Sequence, residues 1–367
     1  MIAIIGGYGK VGLNTCNLLQ KWGKQTLKIG GRNPEKAKLR HKDFFPNAEW
    51  AFIDMYNEDS LLNFINGCDL VLNCAGPSHK ISKRIAEKCI ETGHHLVDAG
   101  LERNLEELTL LQSDLSILYG AGAIPGLSGM LPLWFARQFD EVHALINYTG
   151  MLDTFTPTAA EDYLEGVLDE TNTPLAAWQN GTLAKGVLRR QTHLMLPFFE
   201  KELTAYPIFD DETLYVAKTL KLNHGEWYLT VDGSQIALAL DNAAIQYRDS
   251  QQETIERLCL ASSLDTVGRK PYYHQLIQFE GEVDAKATTK TVLLQASGMA
   301  QLTGSVAAAC AIGLLEGHIA TRGIHPAASA DHKGFIIDFL LQHGIIRQLR
   351  VFDDPIKELM TEEEGAL

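Results

Sequence analysis

Glycines at positions 7, 9 and 12 are the first residues in this chain whose spacing can do chemistry, Gly7-Tyr8-Gly9-Lys10-Val11-Gly12. Before them Ile2-Ala3-Ile4-Ile5 has strand character, and after them residues 13–22 place apolar side chains at helical spacing. At such a strand-to-helix junction Gly7 permits a tight turn, Gly9 lets a phosphate reach the backbone, and Gly12 lets the helix lie close on the strand. The helix start adds unpaired N–H groups and the positive end of its dipole. The chemistry this spacing points to is the grip of a pyrophosphate, with Tyr8, Lys10 and Val11 sharing the contact.

The next strand, residues 25–29, ends in Gly30-Gly31-Arg32-Asn33-Pro34-Glu35-Lys36. A site for NAD puts Asp or Glu at this strand end, where it binds the ribose 2′-OH; here Gly31 and Arg32 stand instead. A guanidinium can hold a 2′-phosphate through two parallel hydrogen bonds and stack on adenine, with Asn33 and Lys36 as helpers. The expected cofactor is therefore NADP, in its reduced form NADPH. A third strand at 50–53 ends in Asp54, which either accepts from the adenine amine or caps the helix of residues 58–66. The fourth, 70–73, runs into Cys74-Ala75-Gly76-Pro77, a turn small enough for a nicotinamide ribose to lie against its backbone. A fifth at 96–97 delivers Asp98 and a sixth at 117–119 delivers a glycine-rich turn containing Gly122. Asp98 reads equally as a cap or as a partner for a substrate amine, and both residues lie at the strand end where ligands of an open α/β sheet bind.

Reduction by a nicotinamide asks the protein for alignment and one proton. His79 follows the Gly76-Pro77 turn, while Asp153 and Tyr163 flank Thr154-Phe155-Thr156-Pro157. These three are the catalytic candidates. Each also has a plain structural reading: a solvated residue at a helix start, a turn-forming Asp, and a Tyr packed on a helix face. His193, His224 and His274 lack metal-ligand spacing, and no metal site is expected.

A chain of 367 residues, 46% of them hydrophobic, can bury a large core and is long enough for two domains. Its formal net charge of −14 argues against a broad nucleic-acid or anionic-membrane surface. The longest small, apolar run, 306–315, is far short of the ~20 residues that span a bilayer. The chain opens directly in a strand, without a basic leader or cleavage site, so a cytoplasmic location is expected. Six cysteines form no CxxC pair and read as reduced thiols.

Past about residue 133 the alternation of strand and helix gives way to β-rich segments at 143–149, 214–220, 226–230, 235–239, 273–282 and 289–296. Helices are expected near 159–168, 176–181 and 250–260, then at 303–317 and 334–343, with an acidic tail at 361–367 that frays. The expected fold class is α/β, with a Rossmann NADP-binding domain at 1–130, an inserted α+β substrate and dimerisation domain at 131–300, and helices at 301–367 that return to the first domain.

Gly6-Gly7-Tyr8-Gly9-Lys10-Val11-Gly12, Gly30-Gly31-Arg32-Asn33-Pro34, Asn73-Cys74-Ala75-Gly76-Pro77, Thr92-Gly93-His94-His95-Leu96-Val97-Asp98-Ala99-Gly100 and Pro125-Gly126-Leu127-Ser128-Gly129 together resemble the saccharopine dehydrogenase (saccharopine reductase-like) family. Thr303-Gly304-Ser305 and Gly323-Ile324-His325-Pro326 are similar to that family's returning helix and turn. The resemblance implies NAD(P)-dependent chemistry between an amine and an imine, a homodimer formed through the second domain's sheet, and a substrate strand and loop at 149–163. Thr149-Gly150-Met151-Leu152-Asp153 replaces the Cys-Gly-Gly-Leu-Pro-like run of true saccharopine reductases, and no set of arginines for a dicarboxylate is evident. The expected activity is NADPH-dependent reduction of a C=N bond, imine or thiazoline, in a small or carrier-protein-bound substrate. Enoyl (C=C) reduction on a carrier-bound chain and a non-catalytic NADP-binding regulator are the alternatives. No nucleic acid and no membrane are expected as partners.

Overall fold

The computed structural model describes residues 1–110, 114–169, 172–332 and 334–364. Residues 365–367 of the tail expected to fray lie outside the described residues. The chain divides into two compact units, Met1–Leu127 with Ala300–Ile345, and Ser128–Met299 with Ile346–Leu367.

The first unit starts with six strands and four helices in alternation: β1 (Ile2–Ile5), α1 (Lys10–Trp22), β2 (Leu27–Gly31), α2 (Pro34–His41), β3 (Glu49–Phe52), α3 (Glu58–Ile65), β4 (Leu70–Asn73), α4 (Ser78–Thr92), β5 (His95–Asp98) and β6 (Ser116–Tyr119). Strands β1, β4 and β6 are buried along their whole length. A parallel strand covered on both faces has no polar side to show, which is why these read as short, nearly unbroken apolar runs. Helices α1 and α4 stop at Gly23 and Gly93, whose left-handed backbone turns the chain out of the helix.

The chain then enters the second unit through α5 (Leu127–Phe135), β7 (Glu141–Leu152), α6 (Pro157–Leu168), β8 (Ala177–Gln179), β9 (Thr182–Ala184), β10 (Gln191–Leu194), β11 (Leu203–Pro207), α7 (Asp211–Thr219), β12 (His224–Val231), α8 (Ser234–Leu240), α9 (Ala243–Asp249), α10 (Gln251–Asp265), β13 (Tyr272–Val283) and β14 (Lys286–Ala296). It returns to the first unit with α11 (Met299–Leu315), β15 (Gly323–Pro326) and α12 (Phe335–Gln342), and closes in the second with β16 (Ile346–Phe352) and α13 (Ile356–Glu364).

The first sheet has seven strands in the order β15-β6-β5-β4-β1-β2-β3, and all its pairs are parallel. From β1 the chain builds outward through β2 and β3 and then resumes on the other side at β4, so the order reverses between β1 and β4. Such a reversal opens a crevice at the strands' carboxyl ends. The second sheet has nine strands; β10-β11-β12-β7-β13-β14-β16 run in that order, with β8 and β9 appended to β12. Among the described residues only β12 and β7 pair in parallel; the other pairs are antiparallel. Helices α6, α8, α9 and α10 share a core around Leu164, Ile236 and Leu258.

Three expected elements take the other form. Residues 214–220 lie largely in helix α7: Asp210 and Thr213 form a reciprocal capping box and Asp211 and Glu212 fill its first turn, outweighing the strand preference of Tyr215 and Val216. Residues 235–239 alternate in sequence, yet Ile236 and Ala239 are the buried ones while Leu238 is 59% exposed, a helical period carried by α8. Residues 176–181 hold strand β8 rather than a helix. Asn180 and Gly181, both at positive φ, turn it into the hairpin with β9, and Asn-Gly is the sequence signal for that turn. The chain's last stretch divides as well: Ile346 onward clusters with the second unit, where β16 pairs with β14. Among the described residues no helix is long and apolar enough to cross a membrane.

Candidate functional site

The carboxyl ends of β1 and β4 carry the loops that flank the crevice. In the first loop the left-handed residue is Gly6, at φ +70, so Gly6 and not Gly7 makes the tight turn. A Cβ on Gly6 would also stand 2.8 Å from the Ala75 nitrogen, which puts the two loops in contact. Gly7 packs against β2, where a Cβ would lie 2.8 Å from Cγ2 of Ile29. At Gly12 a Cβ would fall 2.2 Å from the Gly6 carbonyl oxygen, so only glycine lets α1 approach β1 this closely. Gly9 differs from all three: its Cβ would meet only the Gly6 oxygen, at 3.3 Å, and the residue is exposed. Helix α1 begins there with no side-chain cap and no acidic residue in its first turn. An uncapped helix start beside bare backbone fits an anion, and the residues present fit a dinucleotide pyrophosphate.

The second loop is held from below. The Ala75 N–H donates to Oδ1 of Asn73 at 3.0 Å, and Nδ2 of Asn73 donates to both oxygens of Asp98 at 3.0 Å. Asp98 is wholly buried and also accepts from the Gly100 N–H at 2.8 Å. Through these bonds it ties together the ends of β4 and β5, a structural role that neither reading from sequence anticipated. The pairing was foreshadowed by two polar residues ending neighbouring apolar runs, since Asn73 and Asp98 are register partners. Sγ of Cys74 lies 3.3 Å from the Thr15 hydroxyl, and burial pushes its thiol up to about 12, which leaves it protonated at neutral pH. Helix α4 starts after Pro77 with no side-chain cap and no acidic first-turn residue, and His79, its second residue, is exposed. Gly122 is buried in the turn after β6, donating to the Pro125 carbonyl at 3.1 Å and accepting from the Leu127 N–H at 2.9 Å. Both of its backbone groups are thus engaged within the turn.

At the end of β2 the Tyr8 side chain crosses from the first loop, its ring lying over Gly31 and its hydroxyl accepting from the Asn33 N–H at 2.6 Å. Arg32 and Lys36 are exposed, and among the described residues the Arg32 guanidinium makes no hydrogen bond or ion pair. Helix α2, which begins at Pro34, has no side-chain cap. Helix α3 is capped by Asn57, which accepts from the Ser60 N–H at 2.9 Å. Asp54 accepts instead from the Tyr56 N–H at 3.0 Å, so the capping alternative for Asp54 falls away.

The two candidates in the second unit have structural work. Asp153 accepts from the Thr154 N–H at 2.7 Å through Oδ1 and from the Met299 N–H at 2.8 Å through Oδ2, the latter at the start of α11. Tyr163 packs on Phe155, ring centroids 5.7 Å apart, beside the α6, α8 and α10 core. Desolvation pushes its hydroxyl up to about 12, which makes it a poorer acid than an ordinary tyrosine. Both thus have structural partners within their own unit, and His79 stands at the start of α4, directly after the second crevice loop. Among the described residues no cluster of His, Cys, Asp and Glu is arranged to hold a metal ion.

Residues 2–120 match the family described as the saccharopine dehydrogenase NADP binding domain. This part of the chain is thus similar to that family's NADP-binding domain. Its match ends at β6, so the saccharopine dehydrogenase-type domain comprises both crevice loops and the Tyr8–Arg32 region. Among solved structures, saccharopine dehydrogenase (L-Glu forming) from Saccharomyces cerevisiae is 13% identical, with 96% of this chain and 99% of the yeast chain covered at a TM-score of 0.69. The two share a fold along nearly their whole lengths. DAP dehydrogenase of C. glutamicum in complex with DAP is also 13% identical, covering 93% of this chain and 98% of that one at a TM-score of 0.47. The chain thus combines an NAD(P)-binding domain of a dehydrogenase family with a second, mixed-sheet unit.

Proposed function

We propose that this protein is an NADPH-dependent reductase that delivers hydride to a carbon double-bonded to nitrogen, in a small or carrier-bound substrate. The observation that carries the cofactor half is the pairing of an uncapped α1 start at the open Gly9 with an exposed, unpaired Arg32 at the end of β2. The backbone from Gly9 into α1 binds the pyrophosphate, Arg32 and Lys36 neutralise a 2′-phosphate, and the loop from Cys74 to Pro77, braced by Asn73 and Asp98, lies along the nicotinamide ribose. When bound, the nicotinamide supplies the hydride. The chain's own part in the chemistry is alignment and a proton, offered by His79 or by water.

The C=N half rests on the family. The yeast structure is named a saccharopine dehydrogenase of the L-Glu-forming kind, and the resemblance carried by the sequence motifs implies chemistry between an amine and an imine. An imine nitrogen takes up a proton nearer neutral pH than a ketone oxygen does, so general-acid help of ~10²–10⁴-fold suffices. Arg32→Ala tests the cofactor: NADPH affinity should fall about tenfold to a hundredfold, as expected for a charge-assisted bidentate contact, with little change for NADH. Equal losses for both would refute the assignment. Single-turnover NADPH oxidation with cyclic imines and enoyl thioesters tests the reaction. Reduction of the thioesters with every imine inert would make this an enoyl reductase, and binding without turnover of either would make it a regulator.

A further inference from the structure

We infer that Tyr8 is a specificity-determining residue whose hydroxyl donates directly to the cofactor's 2′-phosphate; this rests on the NADPH reading above. Tyr8 belongs to the β1–α1 loop in sequence, but its side chain finishes at the neighbouring strand. A Cβ on Gly31 would stand 2.3 Å from both Cζ and the hydroxyl oxygen of Tyr8, and 2.7 Å from Cε1. The phenol therefore fills the volume that a side chain at position 31 would occupy. That position ends β2, where a carboxylate would otherwise accept from a ribose 2′-OH. The fold has replaced an acceptor with a phenol.

The phenol's orientation gives it the opposite polarity. Its oxygen accepts from the Asn33 N–H at 2.6 Å, its one hydrogen bond among the described residues. A phenolic hydroxyl that accepts still has its own hydrogen to donate. Tyr8 is half-buried, so the hydroxyl can be reached. It also lies at the start of α2, which no side chain caps and which follows Arg32 by two residues. A phosphate oxygen placed there meets a neutral O–H donor, a guanidinium and a helix start together. A ribose hydroxyl meets the same donor but gains less, because a hydrogen bond to an ionised acceptor is roughly twice as strong as a neutral one.

The test is calorimetric titration of the full chain with adenosine 2′,5′-bisphosphate and with adenosine 5′-monophosphate. Tyr8→Phe keeps the ring over Gly31 and removes only the hydroxyl. It should weaken the bisphosphate about tenfold and leave the monophosphate within about twofold. Gly31→Ala pushes the ring off from the other side, and should produce the same selective loss even if Tyr8→Phe folds poorly. If Tyr8→Phe weakens both ligands equally or neither, the hydroxyl does not sense the phosphate and the inference fails. The NADPH reading survives that failure so long as the wild type prefers the bisphosphate and Arg32→Ala abolishes the preference. A wild type with no preference removes both.

Discussion

Helices α1 and α4 leave β1 and β4 with no side-chain cap and no acidic residue in their first turns, whereas α3 leaves β3 with Asn57 capping it and Glu58 and Asp59 behind the cap. All three strands belong to one parallel sheet, and all three helices face the same shortage of partners for their first N–H groups. A cap is worth about 1 kcal/mol. Helix α3 follows β3 at the sheet's edge, while α1 and α4 flank the reversal of strand order, where a ligand's anion can do what Asn57 does elsewhere. The difference sets the two helix starts that flank the reversal apart from the edge helix, and the proposed phosphate site rests on it.

The largest effects should separate two glycines of the same loop. Gly12→Val drives a side chain into the Gly6 carbonyl and the Gly7 backbone, where no flexible group can yield, and should cost more than the ~1–3 kcal/mol of ordinary overpacking, leaving the first unit unfolded in a thermal melt. Gly9→Asp meets one close neighbour, the Gly6 carbonyl oxygen at 3.3 Å, at φ −74 and ψ 174, a conformation any residue accepts, and gives α1 the cap it lacks. Its melting temperature should hold or rise slightly, while NADPH affinity falls at least ~100-fold through charge repulsion and loss of the bare backbone. Wild-type NADPH binding by Gly9→Asp would mean that the open start of α1 is not the phosphate site.

A smaller effect tests the sealed end of α11. If Asp153 is there to accept from the Met299 N–H, Asp153→Ala should lower stability by roughly 1–2 kcal/mol in urea and leave turnover per folded molecule unchanged. A drop in turnover of ~10²-fold at unchanged stability would restore Asp153 as the proton donor.

The first unit was legible because its strands are buried on both faces and its ligand loops are written in local glycine spacing. Even so, the tight turn moved from Gly7 to Gly6: spacing identifies a glycine loop, but which glycine takes positive φ depends on what Ala75 and Ile29 leave room for. Asp98 was placed at the right strand end, but its bond to Asn73 could not be read, because Asn73 lies 25 residues away and meets it through strand pairing. In the second unit the mistaken segments were short and apolar, where alternation and helical period cannot be told apart in five to seven residues. There the caps decided the outcome, Asp210 with Thr213 for α7 and the Asn180-Gly181 turn for β8. Tyr8 was counted with its loop, and nothing in its neighbours along the chain reveals that its ring lies over Gly31.

The smallest predicted effect bears most directly on the contrast between the helix starts. Asn57→Ala removes the acceptor for the Ser60 N–H and leaves the acidic first turn in place, so it should cost ~1 kcal/mol and lower the melting temperature by about 2–4 °C. Asn57 caps the edge helix, outside the reversal, so NADPH affinity should be unchanged. Cofactor stabilisation, set by the ratio of ligand concentration to dissociation constant, should then raise the melting temperatures of Asn57→Ala and wild type by the same amount. Independent sites add within a few tenths of a kcal/mol, about a degree in such a melt. A cofactor-induced shift that shrinks by several degrees in Asn57→Ala would show that the α3 start is coupled to the site, and that capping does not separate structural from ligand-binding helix ends in this sheet.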